Sequence, residues 1–103
     1  MYQFVACYGQ PTDTEAFDTY YASTHVPLAN KLPGLVDYIT VKCVSALPGE
    51  GVPYYMVATA TFNSERDVKA ALESPEMDAA KADVANFATG GGALYIGDEV
   101  DRT

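Results

Sequence analysis

Apolar positions along the chain follow two rhythms, and the elements change where the rhythm changes. Residues 2–8 mix aromatic and β-favouring side chains and run into Gly9-Gln10-Pro11, a turn cluster, which predicts a first strand from Tyr2 to Tyr8. Beyond it the period becomes helical: Thr12 and Glu15 form a capping-box pattern, and Phe17, Tyr21, Thr24 and Leu28 recur as an inward stripe. Pro33-Gly34 ends that helix, and the apolar run from Leu35 to Ser45 predicts a second strand. Pro48, Gly49 and Gly51 make a turn before a third strand from Pro53 to Phe62, so strands two and three form an antiparallel hairpin with a long loop. Helix resumes at Ser64, where Asp67 completes a capping pattern, and is recapped at Ser74-Pro75. Met77, Ala80, Val84 and Phe87 or Ala88 then share one face until Gly90-Gly91-Gly92, and Ala93 to Ile96 is the last strand.

The order β-α-β-β-α-β predicts an α+β, ferredoxin-like fold: a four-stranded antiparallel sheet with helices on one face. With 103 residues and no internal repeat, the chain is expected to form one domain, residues 1–103. A sheet covered on one side only should turn polar on the other, and these strands do not. Strand one sets Tyr2, Phe4, Ala6 and Tyr8 against Val5 and Cys7; strand three sets Tyr54, Met56, Ala58 and Ala60 against Tyr55, Val57 and Phe62. A bare apolar sheet face is an aggregation hazard, and a symmetric partner packed sheet to sheet removes it. A homodimer through the open sheet face is therefore expected.

Charge narrows the partners. The formal net charge is −8 and the isoelectric point is near 4.2, so the protein's field repels nucleic-acid phosphates and anionic lipid. The opening MYQFVACYG lacks the basic start and long apolar stretch of a leader, which makes the cytoplasm the default location. Cys7 and Cys43 lie in strand-like runs without C-x-x-C spacing and are read as buried thiols. With one histidine, a zinc site is disfavoured and no metal or other cofactor is expected.

Candidate chemistry gathers at the end of the first helix, in Tyr20-Tyr21-Ala22-Ser23-Thr24-His25-Val26-Pro27. His25 follows Tyr21 by four residues and so sits near the inward stripe. Pro27 removes a backbone donor and crowds the carbonyl of Ser23, so the helix should kink or tighten beside His25 and leave a free acceptor. Eight tyrosines supply apolar area with one polar tip each. Tyr8, Tyr21, Tyr54 and Tyr55 are the pocket candidates by position, although alternation lets only one of Tyr54 and Tyr55 face the helices. Asn86 and Phe87 could close the pocket as an amide and a ring, or Asn86 could cap the helix end. The triglycine follows a helix and precedes a strand, the reverse of a phosphate loop. Asp13, Glu15, Asp18, Glu65 and Asp67 are assigned to first helical turns, where they suit the dipole.

These residues carry a resemblance. Phe17 through Tyr20-Tyr21, Thr24-His25-Val26-Pro27-Leu28-Ala29, Lys31-Leu32-Pro33-Gly34-Leu35 and Tyr38 resemble the signature of EthD-type proteins. Pro53-Tyr54-Tyr55, Ser74-Pro75-Glu76 and Asn86-Phe87 before the glycines extend the likeness over nearly the whole chain. The resemblance implies a dimeric α+β barrel, in a superfamily that includes cofactor-independent monooxygenases, muconolactone-type isomerases and polyketide cyclases. It also implies a small organic ligand held between sheet and helices, and a place in degradation of organic compounds such as ethers. A lone buried histidine is more often a structural donor than a catalyst. Set among tyrosines beside an expected cavity, His25 is the candidate acid or base. The expected function is a small-molecule catabolic protein with cofactor-independent oxidoreductase or isomerase-type activity, the alternative being an accessory protein that binds a hydrophobic metabolite without converting it.

Overall fold

The computed structural model describes residues 1–103. Strands β1 (Tyr2–Tyr8), β2 (Leu35–Lys42), β3 (Met56–Phe62) and β4 (Gly92–Asp98) form one antiparallel sheet in the order β2-β3-β1-β4. Helices α1 (Thr14–Tyr20), α2 (Val26–Ala29), α3 (Glu65–Leu72) and α4 (Pro75–Val84) lie on one face, with a π-helical turn, Tyr21–His25, joining α1 to α2. This is the ferredoxin-like α+β arrangement that the pattern predicts.

The caps explain where the helices start. Ser64 accepts from the Asp67 amide and Ser74 from the Met77 amide, each satisfying an otherwise orphan donor. At α1 the cap is Asp13, which accepts from the Ala16 amide, rather than Thr12. Thr12 is committed elsewhere, its amide and hydroxyl both directed at the Thr89 hydroxyl. Glu15, Glu65 and Asp67 stand in first turns as expected, whereas Asp18 is tied to Lys42 at 2.7 Å and to the Tyr55 hydroxyl at 2.7 Å.

Strand limits shift for equally local reasons. β3 begins at Met56, not Pro53, since proline has no amide to donate to a ladder. β2 stops at Lys42, and Cys43 makes one further bond to the Tyr55 carbonyl at 2.9 Å. Cys43 is accordingly half-buried, while Cys7 is buried as expected. β4 is longer than Ala93–Ile96 because the whole of β1 pairs with it, Tyr2 opposite Asp98 and Tyr8 opposite Gly92. Gly34 adopts a φ of 75° ahead of β2. At the triglycine, a Cβ on Gly90 would drive into the Gln10 carbonyl and one on Gly92 into that of Cys7, so these residues let two backbones cross.

The helix-covered face carries two packed clusters. One joins Tyr8, Phe17, Tyr21, Met56 and Phe87; the other joins Leu32, Phe62, Val68, Ala71 and Met77. Phe62 therefore faces the helices together with Ala60, not the open side with Val57, as an even step of two residues requires. On the open face Ile39, Val41 and Tyr95 are each about half exposed, with Val57 beside them half-buried.

Candidate functional site

The π-helical turn sets the site. Its closing bond runs from the Val26 amide to the Tyr21 carbonyl, five residues back. The next residue is Pro27, which has no N–H to give the preceding turn and whose ring needs room there. The helix thus widens beside His25 instead of tightening. In a mixed α and π path, residues four apart stay in line: Phe17, Tyr21, His25 and Ala29 are all buried, whereas Thr24 is exposed and Leu28 half-buried, displaced from the expected stripe.

His25, 4% exposed, meets a buried carboxylate. Its Nδ1 lies 3.0 Å from Asp83 Oδ2, and the other carboxylate oxygen accepts from the Tyr20 hydroxyl at 2.5 Å and from the Asn86 amide at 3.1 Å. Asn86 also donates to the Tyr20 oxygen at 3.2 Å, which closes the ring of contacts. Burial alone would raise the pKa of Asp83, but hydrogen bonds from Tyr20, Asn86 and His25 overcome it and hold the carboxyl below its usual range. An ionised carboxylate can only accept, so Nδ1 carries the proton toward Asp83, and in the neutral imidazole the lone pair is on Nε2. This is the orientation by which an aspartate readies a histidine as a base.

Nε2 has no partner in the protein, and no buried polar side-chain atom is left unpaired, so Nε2 keeps an accessible surface. His25 also lines an apolar cavity of about 40 Å³ between sheet and helices, together with Tyr8, Tyr38, Ala58, Ala60 and Met77 among others. No acidic or basic side chain other than His25 lines it. The ring of Phe87 lies 4.6 Å from that of His25, and the ring of Tyr21 5.4 Å. The Tyr21 hydroxyl bonds that of Tyr38 at 2.6 Å and the Thr40 hydroxyl at 2.9 Å. Burial pushes the phenols of Tyr8, Tyr21 and Tyr38 well up, so all three stay protonated hydrogen-bond donors.

The structure thus brings His25, Tyr8, Tyr21 and Phe87 together. Asn86 is exposed and reaches Asp83 rather than the cavity, and its backbone amide also bonds the Asp83 carbonyl at 2.9 Å. Of the two consecutive tyrosines, Tyr55 faces the helices, edge-on to Phe17 at 5.3 Å, but outside the cavity. Tyr54 is half-buried and also lies outside it. Sequence reasoning missed Asp83, and named Tyr20 and Tyr38 without making either a site residue. Asp83 had a signal: it stands three residues after Ala80 and four before Phe87, an acid on an apolar stripe.

The EthD domain model matches residues 9–91. An uncharacterised 11.0 kDa protein in the thcB–thcC intergenic region of Rhodococcus erythropolis is 40% identical over 99 residues, spanning 96% of this chain and 95% of that protein. The crystal structure of an ethyl tert-butyl ether D (EthD) family protein from Bacillus halodurans is 32% identical, with a TM-score of 0.88 over 97% of this chain and 99% of that one. SnoaB of Streptomyces nogalater, described as a cofactor-independent oxygenase, is 16% identical, with a TM-score of 0.62 over 98% of this chain and 94% of that one, and shares the fold. The matched domain and the two alignments above 30% identity span the helix that carries His25 and the helix that carries Asp83: the chain belongs to the EthD family.

Proposed function

We propose that this protein is a small-molecule catabolic enzyme in which His25 acts as general base, then acid, on a neutral organic compound held between sheet and helices. The observation that carries the reading is the buried His25–Asp83 pair at 3.0 Å, with His25 lining an apolar cavity. Nε2 takes a proton from a weakly acidic C–H or O–H, and Asp83 stabilises the imidazolium without itself taking the proton. Returning that proton to a different atom completes an isomerisation. With dioxygen as second substrate, the same deprotonation opens a cofactor-independent oxygenation, the activity described for SnoaB. The protein works as a homodimer closed through the open sheet face, where Ile39, Val41 and Tyr95 are half exposed.

The test is solvent exchange. In D2O, the wild type is expected to exchange the α-hydrogens of a panel of cyclic ketones and lactones, followed by NMR, while a folded His25→Ala variant leaves them unexchanged. Equal exchange by both proteins would overturn the role given to His25. A second reading, a binding protein that converts nothing, is favoured by the small size of the cavity, about 40 Å³. It requires thermal protection by a ligand with no exchange and no product.

A further inference from the structure

The cavity at His25 has the chemistry but little room. A second, open pocket of about 220 Å³ lies where α4 runs past the sheet edge, lined by Val84, Ala85 and Ala88 on one side and by Gly92, Ala93 and Leu94 of β4 on the other. No charged side chain lines it. The two spaces are adjacent: α4 gives Ala80 to the first and Val84 to the second, and β1 gives Ala6 to the first and Cys7 to the second. One residue lines both, Tyr8.

Tyr8 is 3% exposed, and its hydroxyl bonds no protein atom. Its ring is held by apolar packing, edge-on to Phe17 at 5.8 Å, Tyr21 at 6.0 Å and Phe87 at 5.2 Å. Nothing polar pins the ring where it stands. We infer that the pocket over β4 is the outer half of the ligand site and that Tyr8 is the movable partition between it and the His25 cavity. The ligand is then a neutral, largely apolar molecule of about two fused rings, whose body fills the outer pocket while its one polar end passes the Tyr8 ring to reach His25. An anion is disfavoured by the absence of any lysine or arginine in either space and by the net charge of −8.

The inference rests on the proposed role of His25 for its inner end, but its test is separate. The probe is 2-naphthol, titrated by its fluorescence and, in parallel, by the ring signals of His25, which are unambiguous because the chain has one histidine. In the wild type, 2-naphthol is expected to bind and to shift the His25 signals. Ala85→Trp, an exposed position that fills the outer pocket, should weaken binding at least about tenfold, a change of about 1.4 kcal/mol. Tyr8→Leu should strengthen binding and enlarge the His25 shift, and should leave the α4 fill just as damaging. Binding unchanged by Ala85→Trp overturns the inference, as does binding that leaves His25 unmoved in both wild type and Tyr8→Leu, or no binding by either. Loss of α-hydrogen exchange chemistry with these binding results intact would instead count against His25 as a base and leave the two-part site standing.

Discussion

At one end of the helix–sheet layer, Phe62, Val68 and Ala71 retain no solvent exposure, and their neighbours Leu32 and Met77 complete a core that is aliphatic apart from the single buried ring of Phe62. At the other end, Tyr8, Phe17, Tyr21 and Phe87 pack edge to face around a histidine and a carboxylate. The same two layers build both ends, yet one is closed by van der Waals contact and the other by aromatic rings that leave gaps and by hydrogen bonds that fill them. The difference sets a closed core at the first end and the proposed chemistry at the second. Rings that meet edge-on leave spaces that aliphatic packing would eliminate, and a polar cluster fixes a geometry that apolar contact would leave free.

The largest expected effect falls in the aliphatic end. Phe62→Ala should lower unfolding stability by about 3–5 kcal/mol, read from the denaturation midpoint at constant slope. A cost under about 1 kcal/mol would erase the contrast between the two ends. Next comes Asp83→Ala, which strips the acceptor from Tyr20, Asn86 and His25 together and should cost about 1–3 kcal/mol.

Asp83 also gives the comparison a pH signature. Its folded-state pKa lies below the unfolded value, so its contribution is fully present above about pH 4 and fades as pH falls through the lower folded value. Asp83→Asn should therefore be less stable than wild type near pH 6 and converge on it in acid, whereas Phe62→Ala should keep a constant deficit at both. The smallest effect is that of Tyr20→Phe. It should leave the fold and the aliphatic end untouched and lift the Asp83 carboxyl toward its ordinary range, detectable as an upward shift of the acid limb. An unmoved acid limb would mean that Tyr20 does not hold Asp83.

Much of the aliphatic end was legible in the sequence, because capping serines, turn glycines and apolar periodicity are local signals. Ser64, Ser74 and the break at Pro33-Gly34 delimit elements through bonds made within a few residues. The aromatic end was half legible. His25 announced itself as the single histidine on an inward face, but its partner lies 58 residues away along the chain. The Thr12 capping pattern misled for the same reason, since a contact with Thr89 across the fold outbids the local bond. The wide turn at Tyr21–His25 could not be read from Pro27 alone, because proline admits a kink, a tight turn or a wide one, and the surrounding rings select among them.

That wide turn has a consequence for how the chain can vary. Phe17 and Ala29 are twelve residues apart and both buried, yet on an unbroken α-helix twelve steps would leave them roughly 120° out of line. The helix holds one residue more than its two ends require, and the surplus is stored as a local swelling rather than passed on as a rotation of Ala29 and Leu32 away from the sheet. The gain or loss of a single residue between Tyr21 and His25 is thus absorbed where it occurs. Descendants of this chain can re-aim the side chain at position 25 by changing length there, while the aliphatic end inherits its register unchanged.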